Sequence, residues 1–134
     1  MAGRTMDTSM KAEAAFIMYA VSKGWEVSKP IHHAQSYDFV IRKPECAIWE
    51  TVQVKAAYQG KDGRGRATRE VSLRRCNEKG SRPYSDGDFD WLFVWDGFGS
   101  LWFLPWGVVK KTRSTITLGN SDHVNHANFM VNIS

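Results

Sequence analysis

The sequence predicts a single domain of the α/β class, in which one N-terminal helix precedes a series of β-strands. Its 134 residues fall in the size range of one compact domain. Because 43% of the residues are hydrophobic and 13% are aromatic, the chain can bury a substantial core, which excludes disorder along its whole length. An apolar pattern at helical spacing opens the sequence, and runs of β-branched and aromatic residues follow it.

Residues 9–23 are predicted to form the helix. Four apolar residues recur there at the spacing of one helical face: Ala12, Ala15, Phe16 and Tyr19. Four more are expected to widen that face: Ala14, Ile17, Met18 and Val21. Ser9 is suited to cap the first turn, and Gly24 follows the last periodic residue, where a left-handed C-terminal cap favours glycine.

The strands are predicted from short runs that are rich in β-branched or aromatic residues and end at polar or glycine-containing segments. These runs are residues 25–28, 37–42, 47–57, 68–73, 89–95 and 101–106, with a weaker one at 115–118. Residues 58–66 are predicted to be a loop, and residues 74–88 an irregular stretch. Side chains alternate along a strand, so Gln53 and Lys55 are expected on the same face.

Positive charge is concentrated in one part of the chain. The sequence carries 18 Lys and Arg against 14 Asp and Glu, a net charge of +4. Eight basic residues lie in one glycine-punctuated segment: Lys61, Arg64, Arg66, Arg69, Arg74, Arg75, Lys79 and Arg82. Arginine suits bidentate contact with phosphate, so this segment favours a polyanionic partner. A solvated surface loop without a partner is the alternative.

A candidate set of catalytic residues lies on the helix and on two of the predicted strands. Metal-assisted cleavage of a phosphodiester needs oxygen donors for Mg²⁺ close to a cation that stabilises the phosphate. Asp38 is predicted on one strand and Gln53 and Lys55 on the next, and Glu13 on the helix can add a second carboxylate. Simpler roles are also open. Asp38 could be a surface acid, Lys55 could prevent another chain from pairing with an edge strand, and Glu13 could interact favourably with the helix dipole.

In this order and on these elements, the motifs resemble those of the PD-(D/E)XK nuclease superfamily. The likeness is nearest to the group I intron-associated, homing-type endonucleases and more distant to the Holliday junction resolvases. The segments that carry it are residues 11–15, 37–41 and 52–56, then Tyr84 and residues 89–94. The resemblance implies one restriction-endonuclease-like domain over residues 1–134, with a mixed central sheet flanked by helices. Its recognisable core covers about residues 9–106, and residues 107–134 form a C-terminal extension.

The resemblance also implies a Mg²⁺-dependent deoxyribonuclease, in which Mn²⁺ can replace Mg²⁺. Glu13, Asp38, Gln53 and the Val54 carbonyl are the implied metal ligands, and Lys55 is the implied catalytic lysine. Gln53 stands where the motif has an acid, so metal affinity is expected to fall unless Glu13 or the Val54 carbonyl compensates. The implied substrate is DNA, whose backbone the basic segment would hold through its phosphates.

Three other functions stay open beside homing-type cleavage. One is the resolution of Holliday junctions, and another is a non-catalytic DNA-binding module on a nuclease fold, which Gln53 favours. An RNA-binding domain fits the charge but lacks the aromatic pattern of common RNA-binding modules. For a nuclease, a domain this small carries one site, so cutting both strands predicts a homodimer or a larger symmetric homo-oligomer.

Other titratable residues are expected mainly at the surface. Two histidines precede Asp38 and two lie near the C-terminus, spaced for a metal only if that segment is helical: His32, His33, His123 and His126. Three acids lie near the start of the strand at 89–95: Asp90 matches a position of the superfamily, and Asp86 and Asp88 are interpreted as ordinary polar residues of the loop.

The cellular setting is predicted from what the sequence lacks. Neither an apolar leader nor an apolar run long enough to span a membrane is present. An intracellular, cytoplasmic protein without a membrane partner is therefore expected. In that setting Cys46 and Cys76 are predicted to be reduced.

Overall fold

A computed structural model of the protein describes residues 2–32, 35–61, 63–77, 80–97, 99–112, 115–118 and 126–133. Helix α1 (Ala2–Ser22) is followed by strands β1 (Glu26–Ser28), β2 (Phe39–Arg42) and β3 (Glu50–Ala56). Two hairpins come next, β4 (Tyr58–Lys61) with β5 (Ala67–Ser72) and β6 (Arg74–Asn77) with β7 (Gly80–Pro83). The later elements are β8 (Trp91–Trp95), β9 (Leu101–Pro105), the short helix α2 (Trp106–Val109), β10 (Thr115–Thr117), a 3₁₀ helix (His126–Phe129) and β11 (Met130–Val131).

Six strands form the central sheet in the order β1-β2-β3-β8-β9-β11. Strands β3 and β8 run parallel, whereas the other neighbouring pairs in this sheet are antiparallel. The sheet is therefore mixed. Together with α1, it confirms the predicted order of an N-terminal helix followed by a mixed central sheet.

Helix α1 packs on one face of the central sheet and forms the first of two cores. The ring of Phe16 lies 5.0 Å from Phe39 on β2 and 5.1 Å from Phe93 on β8, measured between centroids. Val52 and Val54 of β3 join the same cluster. These contacts bury the inner side of α1 and fix the helix beside the strands that carry the candidate catalytic residues.

The second core lies on the opposite face of the central sheet. Leu92 and Val94 of β8 and Leu104 of β9 pack there with Val71 of β5 and Ile116 of β10. Strands β10, β5 and β4 form a small sheet of their own, which covers this face. The predicted strand at 115–118 is thus confirmed as β10, and it places part of the C-terminal extension in the core.

The outer side of α1 differs from the prediction. The helix begins at Ala2 rather than at residue 9. Four residues were expected to widen the core-facing side, but all four are exposed: Ala14, Ile17, Met18 and Val21. A helix that lies on a sheet buries only one stripe of its surface, and Ala12 and Phe16 already fill that stripe.

Residues 58–61, predicted as part of a loop, form the edge strand β4. Its partner β5 carries Glu70, whose carboxylate lies over Gly60: a Cβ at that position would be 1.4 Å from Glu70 Oε2. A side chain at this point of the strand would displace the Glu70 carboxylate, which the end of a flexible side chain allows at low cost. Because the residues of β4 are largely polar, the apolar alternation that marks other strands is missing here.

Residues 74–83, predicted to be irregular, form the β6–β7 hairpin. Arg74 donates from Nε to Ser81 Oγ at 2.7 Å and from Nη2 to the Ser81 carbonyl at 2.9 Å. Backbone pairing and such polar contacts hold the hairpin together. The sequence offered no apolar alternation from which it could have been predicted.

The two cysteines were predicted to be reduced. Cys46 has a free thiol, whereas the side chain of Cys76 lies outside the part of the chain that the structure describes. No helix within the described ranges is long and apolar enough to cross a membrane.

Candidate active site

An open cavity of about 450 Å³ lies where α1 meets the beginning of β2 and the middle of β3. Its walls include the residues that the sequence singled out: Glu13, Asp38, Gln53 and Lys55, together with Val54. The structure therefore brings all four predicted catalytic residues to one place. Thr8, Ser9 and Ala12 of α1 complete the helical wall.

Backbone hydrogen bonds hold Asp38 in place at the entrance of β2. Its N–H donates to the Val52 carbonyl at 2.8 Å, and its Oδ2 accepts the N–H of Val54 at 2.9 Å. Burial raises the pKa of Asp38, and the negative charge of Glu13 acts in the same direction. The Val54 N–H and the ammonium groups of Lys29 and Lys55 oppose this shift. Asp38 is thus a partly buried carboxyl fixed in orientation by β3.

Gln53 and Lys55 reach the cavity from β3, between its neighbours β2 and β8. Gln53 is buried, and its Nε2 donates to the Val54 carbonyl at 3.3 Å. Because the NH₂ group is used in this way, the amide oxygen is the atom of Gln53 suited to bind a cation. The Nζ of Lys55 lies 5.5 Å from the centroid of the Tyr84 ring, which brings the end of the β6–β7 hairpin close to the cavity.

Lys29 is a charged neighbour of the site that sequence reasoning missed. Its ammonium forms an ion pair with Glu13 Oε1 and lies 4.6 Å from the centroid of the Phe39 ring. The place of Lys29 beside the site could be deduced only from how the strands pair. Ser28 of β1 pairs with Val40 of β2, so the residue after Ser28 falls opposite Phe39, next to Asp38.

The residues around the cavity suit a hard divalent cation. Two carboxylates, Glu13 and Asp38, the amide oxygen of Gln53 and the carbonyl of Val54 are all oxygen donors, the kind that Mg²⁺ prefers. No group of three or more His, Cys, Asp or Glu residues suited to a metal occurs within the described ranges. Any metal bound in this cavity would therefore depend on the neutral oxygens as well as on the carboxylates.

Known proteins share both the sequence pattern and the fold. A model of the PD-(D/E)XK endonuclease family matches residues 4–132. The chain belongs to the PD-(D/E)XK endonuclease family. A solved structure, that of the bacterial homing endonuclease I-Ssp6803I, is similar to this chain with a TM-score of 0.76 and 27% sequence identity. The likeness covers 94% of this chain and 88% of that chain and confirms the predicted restriction-endonuclease-like fold. Curated protein sequences give no significant match.

Three acids of this PD-(D/E)XK endonuclease precede β8, and each accepts hydrogen bonds from within the protein. Asp90 Oδ2 accepts the N–H of Thr51 at 2.8 Å, and Asp86 Oδ1 accepts Trp106 Nε1 at 2.7 Å. Asp88 is buried. The interpretation of Asp88 as an ordinary polar residue of the loop is therefore wrong, because its side chain is buried, whereas Asp86 is exposed in the loop as expected.

The basic residues of this PD-(D/E)XK endonuclease lie mostly on the two hairpins between β3 and β8. Lys61, Arg64 and Arg66 are exposed at the tip of the β4–β5 hairpin, whereas four others are half-buried: Arg69, Arg74, Arg75 and Arg82. The guanidinium of Arg82 is bound by the carboxylate of Asp88 at 2.8 and 3.0 Å. Lys79 lies outside the described residues.

The histidines do not join the cavity as far as the structure describes them. His32 is exposed in the segment between β1 and β2. His126 begins the 3₁₀ helix, but its side chain is outside the described part of the chain, as are His33 and His123 entirely. The predictions for these last three residues stay predictions.

Proposed function

We propose that this PD-(D/E)XK endonuclease is a metal-dependent DNA endonuclease of the homing type. The single observation that carries the proposal is the convergence of Glu13, Asp38, Gln53 and Lys55 on one cavity from three separate elements. The similar solved structure is that of a homing endonuclease, which favours a duplex site as the substrate over a branched junction.

Glu13, Asp38, Gln53 and the Val54 carbonyl would hold Mg²⁺, and Mn²⁺ would be able to replace it. Once bound, the ion would supply Lewis-acid stabilisation of the phosphate and a lower pKa for the attacking water. Lys55 places a positive charge at the same cavity, where it can orient the water and stabilise negative charge that develops on the phosphate. Because backbone N–H and C=O groups of β3 fix Asp38, little reorganisation of this carboxylate is needed when substrate arrives.

The hairpins would bind the DNA backbone beside the cavity. Seven of the eight basic residues are proposed as phosphate contacts: Lys61, Arg64, Arg66, Arg69, Arg74, Arg75 and Lys79. Arg82 belonged to the same prediction, but its pairing with Asp88 favours a structural role. Since each chain would contribute one site, cutting both strands of a duplex needs at least two copies, arranged as a homodimer or a larger symmetric assembly.

Alanine substitutions at the cavity test the proposal. Asp38→Ala and Lys55→Ala are expected to abolish cleavage of a duplex DNA library in the presence of Mg²⁺ or Mn²⁺, while DNA binding in gel-shift assays persists. Asp7→Ala, at an exposed ion pair on the same helix as Glu13, is the control and should cut normally.

Two outcomes would replace the proposal by another function. Cleavage of an immobile four-way junction at symmetric positions, without cleavage of linear duplexes, would identify a junction resolvase. If the unmodified protein binds DNA but never nicks it with either metal, the non-catalytic binding module is correct, and Gln53 is the residue that favours this alternative.

A further inference from the structure

Lys29 reaches the candidate active site from the edge of the central sheet. Val27 of β1 packs against the core beneath α1. Lys29 follows two residues later and extends to the same side of the sheet, because side chains alternate along an extended chain. Its ammonium lies 4.6 Å from the centroid of the buried Phe39 ring on β2. This contact holds a positive charge next to the strand that Asp38 precedes.

The same ammonium binds a carboxylate of the cavity. Lys29 forms an ion pair with Oε1 of Glu13, and Glu13 lines the cavity. The side chain of Lys29 is 55% exposed and that of Glu13 is 31% exposed. An ion pair so open to solvent adds little to stability, and the long stem of a lysine is flexible. Another cation can therefore replace the ammonium at Glu13.

The charges around the cavity balance one another. Burial is the main reason why the pKa of Asp38 is raised, and Glu13 raises it further, whereas Lys29 and Lys55 lower it. These four side chains thus lie within electrostatic reach of one another. Their two negative and two positive charges sum to zero. A divalent cation that enters the cavity is repelled by both ammonium groups, and only that of Lys29 occupies a carboxylate proposed as its ligand.

The place of Glu13 in the fold does not depend on Lys29. Ala12 and Phe16, on either side of Glu13 along α1, are buried to within 1% of their surface and fix the helix on the sheet. Loss of Lys29 would therefore release the Glu13 carboxylate without moving its backbone. For this reason, the effect of Lys29 on a bound cation is expected to be one of charge.

We propose that Lys29 is a built-in counter-ion, which a divalent cation displaces from Glu13 when it binds in the cavity. Before the ion binds, the ammonium offsets the repulsion between Glu13 and Asp38. The ion then takes over this role, so Lys29 lowers the affinity of the site for metal. Lys29 is a positioning residue, because it acts through Glu13. The inference rests on the proposed function, since it takes Glu13 as a metal ligand.

Removing the charge of Lys29 tests the exchange. Lys29→Met keeps an unbranched apolar stem and should bind Mn²⁺ about three- to tenfold more tightly than the wild type, because the ion no longer displaces or faces an ammonium. Lys29→Arg keeps the positive charge and should retain the wild-type affinity. Titration with Mn²⁺ in the absence of DNA, followed by the electron paramagnetic resonance signal of free Mn²⁺, measures the dissociation constants without any cleavage.

Lys11→Met is the matched control. Lys11 lies on the same helix as Glu13 and is similarly exposed, but it pairs with Asp7 at 3.1 Å. Its loss changes the net charge by the same amount and should leave the affinity for Mn²⁺ unchanged. All the changed positions are exposed, so the variants should fold, which far-UV circular dichroism checks.

The outcomes separate this inference from the proposed function. If the wild type binds Mn²⁺ and Lys29→Met binds it equally or more weakly, the exchange is overturned and the metal site stands. An equal gain in Lys11→Met also overturns it, because net charge would then explain the effect, and so does a gain in Lys29→Arg as large as that in Lys29→Met. If the wild type and all the variants fail to bind Mn²⁺, the metal site of the proposed function falls, and the exchange falls with it.

Discussion

At the scale of single residues, Gln53 sets the charge of the candidate active site. It is buried, and it shares the cavity with the carboxylates of Glu13 and Asp38. Its NH₂ group donates to the Val54 carbonyl, which a carboxylate in the same place could not do. The amide therefore spares the metal-free protein a third negative charge, at the cost of weaker cation binding.

The substitution Gln53→Glu tests this trade-off between stability and metal binding. The metal-free variant should lose roughly 1–3 kcal/mol of unfolding free energy, because a buried donor is lost and like charges are added. Mn²⁺ should then raise its Tm by more than it raises that of the wild type, since tighter binding to the native state stabilises it further. Thermal unfolding with and without Mn²⁺ measures both effects, and Gln59→Glu on the exposed strand β4 is the control. A rise in Tm no larger than in the wild type would contradict a ligand role for Gln53.

The sequence could place some residues of the cavity but not others. Asp38, Gln53 and Lys55 were predictable from the sequence, because strand alternation and the order of the motifs locate them without knowledge of distant contacts. Lys29 was not, because its ion pair with Glu13 depends on how β1 pairs with β2. The same holds for Asp88, whose partner Arg82 comes from a hairpin that the sequence did not indicate.

At the scale of elements, Asp88 connects the β6–β7 hairpin to the central sheet. Its carboxylate binds the guanidinium of Arg82 and accepts the N–H of Ser85 at 2.8 Å. Its backbone carbonyl accepts Ser36 Oγ at 2.6 Å, so it also restrains the segment that leads to Asp38. The hydrogen bonds from Arg82 are the main reason why the pKa of Asp88 falls to about 2.

Replacing Asp88 by Asn should destabilise the protein by about 1–3 kcal/mol at neutral pH, because a charge-assisted pair and a buried acceptor are lost. A carboxyl whose pKa is lower in the folded state stabilises the fold above its unfolded pKa and loses this effect as pH falls. The difference between wild type and Asp88→Asn should thus shrink between pH 3.8 and about 2. Urea unfolding across this range measures it, with exposed Asp7→Asn as the control. A difference that stays constant down to the lowest pH would contradict the assigned ion pair.

Elements were predictable where apolar patterning decides the structure. Strands β3 and β8 carry buried residues that alternate or run together, and both were found close to their observed bounds. The β6–β7 hairpin was missed because polar contacts hold it. Helix α1 shows a third case: it carries apolar residues on its exposed side as well as on its buried side, so the sequence could not tell which side packs on the sheet.

At the scale of the whole molecule, the chain forms its basic hairpins between β3, which lines the cavity, and β8. The polypeptide leaves the central sheet after β3, which carries Gln53 and Lys55, and returns to it at β8. Between these points it forms the β4–β5 and β6–β7 hairpins, and Tyr84 at the end of the second one lies against Lys55. A polyanion held by the hairpins would therefore run past the candidate catalytic residues.

This arrangement predicts how DNA affinity depends on salt. Arg64 and Arg66 are exposed at the tip of the β4–β5 hairpin, so each is suited to contact one phosphate. Arg64→Ala and Arg66→Ala should each lower affinity about equally for unrelated DNA sequences, and each should reduce the slope of log affinity against log salt by roughly 0.9. Fluorescence anisotropy without divalent metal measures the slope while excluding cleavage.

The controls Lys110→Ala and Lys111→Ala, at exposed positions after α2, should leave the slope unchanged. If these controls lower the slope and the arginine variants do not, the DNA backbone contacts the segment after α2, and the hairpins are not the DNA-binding surface.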